Sequence, residues 1–360
     1  MERYLEWNIA EPAKVGDFLR IQAGFTKKQI SQAKFRKDGI QKNGTQCRVT
    51  ESLFPGDVLR VYLERADRKP EDYLCEKNPQ KREALLLPEK AMQKWSGSAA
   101  EVDPELLRIV YEDEDILVVD KPAGLVTHPV GVHKSDTLSG LVDGYFRNKN
   151  ESTLIRSIGR LDKETSGLLL FARNQIAAAR LQKQREEGIL QKTYLAAASG
   201  IFPEEKSCGT ICIPIGKDQK NPLGMAVSAD GSLSGCKKAV THFRVLKEMG
   251  DNSLLEVWLE TGRTHQIRVH MASVGHPLLG DTLYNDSHSF DAFADDSGSL
   301  AEHHGILATG SRRSVEDTGI FKRAALHAWK LCFLQPFTGR KMILEAPLPD
   351  DFITFQNQKF

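Results

Sequence analysis

The stretch GRLDKETSGLLLFA, residues 159–172, joins an acid-bearing turn to an uninterrupted apolar run, and its reading decides the fold. The run after Ser166-Gly167 reads as a strand. Asp162, with Thr165 three residues on and Ser166-Gly167 behind it, is most simply an Asx turn leading into that strand. Its surroundings ask for more. Arg160 lies two residues before it, on the same face of an extended segment. A second basic stretch, TGRTHQIRVHM (residues 261–271), puts Arg263, His265, Arg268 and His270 within eight positions. Two arginines near one carboxylate favour its ionised form.

Outward from this stretch, the chain from Leu107 onward is built of short β-rich runs split by turns. They include RIVYEDEDILVVDKPAGLVTHP (108–129), KTYLAAASG (192–200), AVTHFRVLKE (239–248), SLLEVWLETG (253–262) and KLCFLQP (330–336). NQIAAARLQKQREEG (174–188) has helical spacing and a Gly188 stop. Strands with few regular crossovers and occasional helices predict an α+β class with a mixed, mostly antiparallel sheet. Neither GxGxxG nor GxxxxGK[ST] follows a strand, so no nucleotide cofactor has a cradle. Residues 285–319, polar and rich in Gly and Ser, read as a long inserted loop. The pair His265 and His270 lacks a third ligand nearby, which argues against a metal site.

Composition narrows the class. The chain has 360 residues, 40% apolar and 27% charged, a net charge of +1 and six cysteines without a CxxC pair. These values fit a globular protein of roughly two domains with reduced thiols. No apolar stretch has the length of a membrane span and MERYLEWNIAEPAK lacks a signal-peptide core, so the expectation is a cytoplasmic protein. The charge is unevenly spread. Between Lys14 and Arg48 lie nine Lys or Arg against Asp17 and Asp38, a local balance of +7.

That excess sits in a small module. VGDFLRIQAG and TKKQISQAKFRKDG read as two helices, the second capped by Thr26, with Ile30 and Ala33 inward and Lys27, Lys28, Lys34 and Lys37 outward. Asn43-Gly44 marks a hairpin, and a final strand follows Pro55-Gly56. A basic helix on a compact αα-β module is a footprint for phosphates, and the expected phosphate contacts are Lys27, Lys28, Lys34, Arg36 and Lys37 here and Arg263 near the acid. Residues 1–65 are thus expected to form one domain, 66–104 a flexible linker and 105–360 a second domain, which the resemblances below imply to be an RNA-binding and a catalytic domain respectively.

Two resemblances sharpen these expectations. The module resembles the S4 RNA-binding domain, through Gly39, Ile40, Lys42, Asn43, Gly44, Gly56 and Asp57. GRLDKETSGLLLFA, DILVVDKPAGLVTHP, KTYLA, ETGRTHQIRVHMASVGHPLLGDTLY, ALHAWKL and APLPDDF resemble the RluA-type pseudouridine synthases over about residues 106–352. The resemblance implies an RNA-uridine isomerase, acting without cofactor or metal as a monomer. It implies Asp162 as the catalytic aspartate, Arg160 as the arginine that helps hold the flipped-out conformation, Tyr194 as the active-site tyrosine and Arg268 as the arginine paired with the aspartate. An S4-like module favours large-subunit ribosomal RNA as substrate, with transfer RNA as the alternative; a non-catalytic RNA-binding protein is the rival from another class. The chain departs from the common His-Arg-Leu-Asp pattern by carrying Gly159 first, and the 285–319 insertion has no counterpart in it.

Overall fold

Residues 3–63, 107–129, 137–149, 151, 155–219, 221–228, 230–285 and 319–358 are described by the computed structural model. The stretch read as a linker and nearly all of the insertion, residues 286–318, lie outside the described residues.

In the first segment, strands β1 (Arg3–Asn8), β2 (Ala13–Lys14), β3 (Ile40–Lys42), β4 (Thr45–Gln46), β5 (Ser52–Leu53) and β6 (Val58–Leu63) accompany helices α1 (Val15–Ile21) and α2 (Lys27–Lys34). The sheet order is β1-β6-β3-β4, so an N-terminal strand completes the hairpin and final strand that the turn signals mark. Asn43 and Gly44 take φ values of 52° and 79°, the left-handed pair a two-residue hairpin turn requires. Asp57 accepts from Asn43 Nδ2 at 2.8 Å and lies 2.9 Å from Lys42 Nζ, which ties the turn to the last strand. These bonds, Lys42 first, lower the Asp57 carboxyl to about 2.

Helix α2 begins with a reciprocal cap: Gln29 N donates to Thr26 Oγ1 at 3.2 Å and Thr26 N to Gln29 Oε1 at 2.7 Å. Ala33 is buried and Ile30 partly so, while Lys27, Lys28, Lys34 and Lys37 are exposed and Arg36 is partly buried. The helix ends at Lys34, so Arg36 and Lys37 lie in the turn beyond it.

The main sheet has ten strands. Its order is β12 (Cys208–Ile211), β15 (Thr241–Met249), β16 (Asn252–Leu259), β11 (Gln191–Ser199), β17 (Leu326–Leu334), β10 (Ser166–Ala172), β8 (Ile116–Lys121) and β7 (Arg108–Glu112). Two short strands flank this path, β9 (Arg156–Ser157) on β10 and β18 (Lys341–Glu345) on β17; β13 (Ile215–Lys217) and β14 (Met225–Val227) form a separate hairpin. Every pairing is antiparallel except β10 with β17. That parallel contact is tight: a Cβ on Gly167, whose φ is +105°, would stand 2.3 Å from the Ala328 carbonyl oxygen. Only glycine fits there.

Helices α3 (Leu138–Asn148), α4 (Gln175–Glu186), α5 (Gln266–Ser273) and α6 (Asp350–Gln356) cover the sheet. Leu117, Val119, Leu169 and Phe171 share a core with Leu138, Val142 and Phe146 of α3 and with Ile267 and Met271 of α5. Their chain neighbours Ile116, Val118, Leu168, Leu170 and Ala172 share another with Ala177, Ala178 and Leu181 of α4. Both faces of β10 are therefore buried, which accounts for its unbroken apolar run. The fold is α+β, as the run pattern predicts.

The module packs directly on α4. Ile176 joins its core, Gln29 Nε2 donates to the Gln175 carbonyl at 3.0 Å, and the Arg180 guanidinium donates to the Ala23 carbonyl.

Candidate active site

Between β9 and β10 the chain must cross from one strand to the next while presenting Asp162, and its main chain is tied at nearly every step. Ser157 Oγ donates to the Gly159 carbonyl at 2.9 Å, Thr127 Oγ1 to Leu161 at 2.8 Å, Thr165 N to Asp162 at 3.2 Å, Gly124 N to Lys163 at 2.8 Å and Arg323 Nη1 to Glu164 at 3.1 Å. Leu161 N in turn donates to Thr127 Oγ1 at 3.3 Å. The turn at Asp162 closes through its main-chain carbonyl rather than through its side chain, a correction to the Asx-turn expectation. Its carboxylate is free for other work, and the loop that carries it is pre-set.

The carboxylate is 18% exposed and lies 3.6 Å from Arg160 Nη2. Its charge acts on Lys121, Tyr194, His265, Arg268 and Tyr284, side chains from β8, β11, the approach to α5, α5 itself and the turn after it. Burial pushes the Tyr194 phenol well up, and the Asp162 charge adds to that. Tyr194 is 9% exposed and belongs to the core shared with α3 and α5. His265 sits at φ 53° immediately before α5, with Nδ1 2.9 Å from the Tyr284 hydroxyl. Burial lowers its imidazole while the Asp162 charge opposes that shift.

Arg268 has a partner other than the one expected. Its Nε and Nη2 reach Asp281 at 2.6 and 2.7 Å, and its Nη2 is 3.6 Å from Glu164 Oε2. A forked ion pair buried to this degree, with Arg268 4% and Asp281 0% exposed, holds the guanidinium against α5. Its effect on Asp162 is through space. Glu164 also accepts from Ala324 N at 3.1 Å, so this acid is part of the scaffold.

The stretch GRTHQIRVH leads into a buried helix. Residues 266–272 are all buried, and Gln266 bonds to Thr261, Arg263 N, Val240 and Thr241. His270 is held by Thr241 Oγ1 at 2.9 Å and the Ile213 carbonyl at 2.8 Å, with burial lowering it to about 4; it is a structural histidine. Arg263 is partly buried and donates from Nε to the Lys238 carbonyl at 2.9 Å.

Three contributors escape a reading of the sequence alone: Lys121, Asp281 and Tyr284. Asp281 is the one acid in GHPLLGDTLY (275–284), and a lone acid in an apolar stretch is the signal for a buried cation elsewhere. Lys121 is fully buried, and its Nζ donates to the carbonyls of Pro122 at 2.9 Å, Leu125 at 2.8 Å and Lys163 at 3.2 Å. Burial pushes this amine from 10.5 to about 7, against the Asp162 charge and with that of Arg323. The unfolded chain therefore binds a proton that the folded chain has lost between pH 7 and 10.5. Stability from this group is greatest above 10.5 and falls as pH drops to 7. The stability of wild type relative to Lys121→Met is expected to rise between pH 7 and pH 9. Urea denaturation of both proteins at the two pH values checks this; a constant difference contradicts it.

Residues 115–273 match the family model for RNA pseudouridylate synthase. The chain is 38% identical over 259 residues to the Uncharacterized RNA pseudouridine synthase YhcT of Bacillus subtilis, covering 71% of this chain and 74% of that protein. It is 30% identical over 330 residues to YjbO of the same organism, also named an uncharacterized RNA pseudouridine synthase, covering 92% and 94%. Against ribosomal large subunit pseudouridine synthase D of Pseudomonas aeruginosa it is 38% identical over 264 residues, covering 73% and 75%. Among solved structures, Human RNA Pseudouridylate Synthase Domain Containing 4 superposes with a TM-score of 0.50 at 27% identity, over 69% of this chain and 91% of that one. The chain belongs to the RluA-type RNA pseudouridine synthases.

Proposed function

We propose that this chain is a cytoplasmic monomer that converts uridine to pseudouridine in large-subunit ribosomal RNA, with Asp162 as the catalytic carboxylate. The observation that carries the reading is the Asp162 carboxylate on a loop with five tied carbonyls, at the meeting point of Arg160, Tyr194, His265 and Arg268. A stacked uridine hides its glycosidic bond, so the base must leave the stack at a cost of about a few kcal/mol. Contacts to the RNA backbone offset that cost. Arg160, 57% exposed at the mouth, is suited to holding the flipped-out state, and the Tyr194 ring offers a flat apolar face for the uracil. The N1–C1′ bond breaks, the uracil turns, and a C5–C1′ bond forms while the C5 proton leaves and N1 gains one. The change is redox-neutral and adds no group. Attack on C1′, attack on C6 and removal of a sugar proton all begin from the same ionised carboxylate.

The ribosomal assignment draws on the name of the Pseudomonas relative and on the S4-like character of the N-terminal module. Lys27, Lys28, Lys34, Arg36, Lys37 and Arg263 are the proposed RNA contacts. A groove of about 180 Å³ between α1 and α2 is lined in part by Lys27, Lys34 and Arg20, the last 3.6 Å from Asp17. Incubated with unmodified transcripts, the purified chain is expected to form pseudouridine in large-subunit ribosomal RNA and not in transfer RNA; the reverse preference overturns the substrate class. Joint reversal of Lys27, Lys28 and Lys34 to Glu is expected to weaken binding and flatten the salt slope of log Kd by up to about three. An unchanged slope removes that face from the RNA contact.

A further inference from the structure

At the rim of the Asp162 site, one guanidinium has no hydrogen-bond or ion-pair partner among the described residues. Arg185, in the last turn of α4, is exposed, and among the described residues no carboxylate or carbonyl is bonded to it. The acids beside it are engaged elsewhere: Glu186 accepts from Gln182 Nε2 at 2.9 Å, and Glu187 lies 3.6 Å from Lys183 Nζ.

Its position is set by two glycines. The Arg185 Nη1 and Cζ lie 3.5 and 3.7 Å from where a Cβ on Gly159 would stand, and its Nη2 lies 3.0 Å from that point on Gly262. Each glycine directly precedes an arginine of the site, Arg160 in one loop and Arg263 in the other. A side chain at 262 would press on the guanidinium. Gly159, at φ +85°, stands where the common pattern has His, and a side chain there would extend toward the Arg185 fork. The departure at Gly159 thus goes with an arginine lying over it.

The neighbourhood is cationic. The Arg185 charge acts on Tyr194, and it adds to the burial that pushes Lys192 down to about 7. Arg185 therefore adds a second guanidinium beside the loop that carries Arg160. Like charges held together repel, and a visiting anion relieves them. The planar fork of an arginine matches phosphate oxygens two at a time. The other end of α4 carries Ile176 into the core of the basic module, so one helix links the rim of the site to that module.

We propose that Arg185 is a positioning residue that binds a phosphodiester of the substrate RNA beside the flipped uridine, in the room that Gly159 and Gly262 leave for its guanidinium. The assignment rests on the reading of the site as that of a uridine isomerase. The full chain carrying Arg185→Gln or Arg185→Lys is assayed on an unmodified large-subunit ribosomal RNA transcript, for turnover and for binding over a series of KCl concentrations. Arg185→Gln is expected to raise KM about tenfold, to leave kcat at saturating RNA within about twofold and to reduce the salt slope of log Kd by about one. Arg185→Lys restores the slope. An unchanged KM and slope overturns the proposal, as does a fall in kcat alone, which would put Arg185 at work on Tyr194 or Lys192 instead. Binding is measured in the Asp162→Asn background as well, so the slope is read even where no RNA is turned over. Absence of turnover in wild type counts against the isomerase reading, and an unchanged slope counts against Arg185.

Discussion

Asp162→Asn is expected to lower kcat for pseudouridine formation by at least about 10³-fold while leaving RNA affinity within about twofold. The substitution is nearly isosteric, and the bonds that shape the loop use main-chain groups: Asp162 contributes its carbonyl to Thr165 N, and the flanking carbonyls go to Ser157, Thr127, Gly124 and Arg323. The turn therefore survives. The one ion pair lost is with Arg160, which is 57% exposed and 3.6 Å away, so folding stability should change by less than about 1 kcal/mol. What disappears is the anionic oxygen, and an amide cannot serve as a nucleophile or a base at that place. A protein that kept this fold only for docking RNA would show no such loss. Thermal melting, RNA binding and turnover on the same preparation separate the outcomes, and a variant with more than a tenth of wild-type turnover would take Asp162 out of the chemistry.

Asp281→Ala should be the most destabilising of the site substitutions, by about 3–5 kcal/mol, because it leaves the Arg268 guanidinium buried with only Glu164 at 3.6 Å. It also strips an acceptor from Leu283 N and Tyr284 N, and Tyr284 is the residue that meets His265. Replacing both partners is different in kind. In Arg268→Met/Asp281→Leu no charge is left stranded, so stability should recover by at least about half of the loss. Turnover should not recover, since the positive charge that reaches Asp162 through space is gone. Chemical denaturation and kcat on the two variants test both parts. A double variant that regains both would make the pair a packing device with no bearing on the reaction, and one that regains neither would mean that the buried pair organises the loop through its hydrogen bonds.

The parts of this site that local sequence can express were legible. Thr26 as a helix cap, Asn43 with Gly44, and the helical spacing of residues 174–188 up to Gly188 each describe bonds made within a few residues, and each is formed. The strands around Asp162 were legible as apolar runs. What the runs leave open is their partners: β10 pairs in parallel with β17, whose His327 lies 161 residues along the chain from Ser166, and only the close approach at Gly167 betrays it. Burial of the charged groups is set by partners distant in sequence. The residue types of TGRTHQIRVHM do not show that Asp281, Thr241 and Ile213 are brought against it, nor does Lys121 at the end of a strand show that three carbonyls close over its amine. ALHAWKL, with its mixture of Ala, His and Trp, proved to belong to a central strand.

The central claim, that an aspartate held on a pinned loop isomerises uridine in large-subunit ribosomal RNA, is tested most directly by mapping pseudouridine in ribosomal and transfer RNA from a host strain lacking the gene. The expected result is the loss of one or more pseudouridines from large-subunit ribosomal RNA alone, restored by the wild-type chain and not by Asp162→Asn. An unchanged map, or restoration by Asp162→Asn, would contradict it.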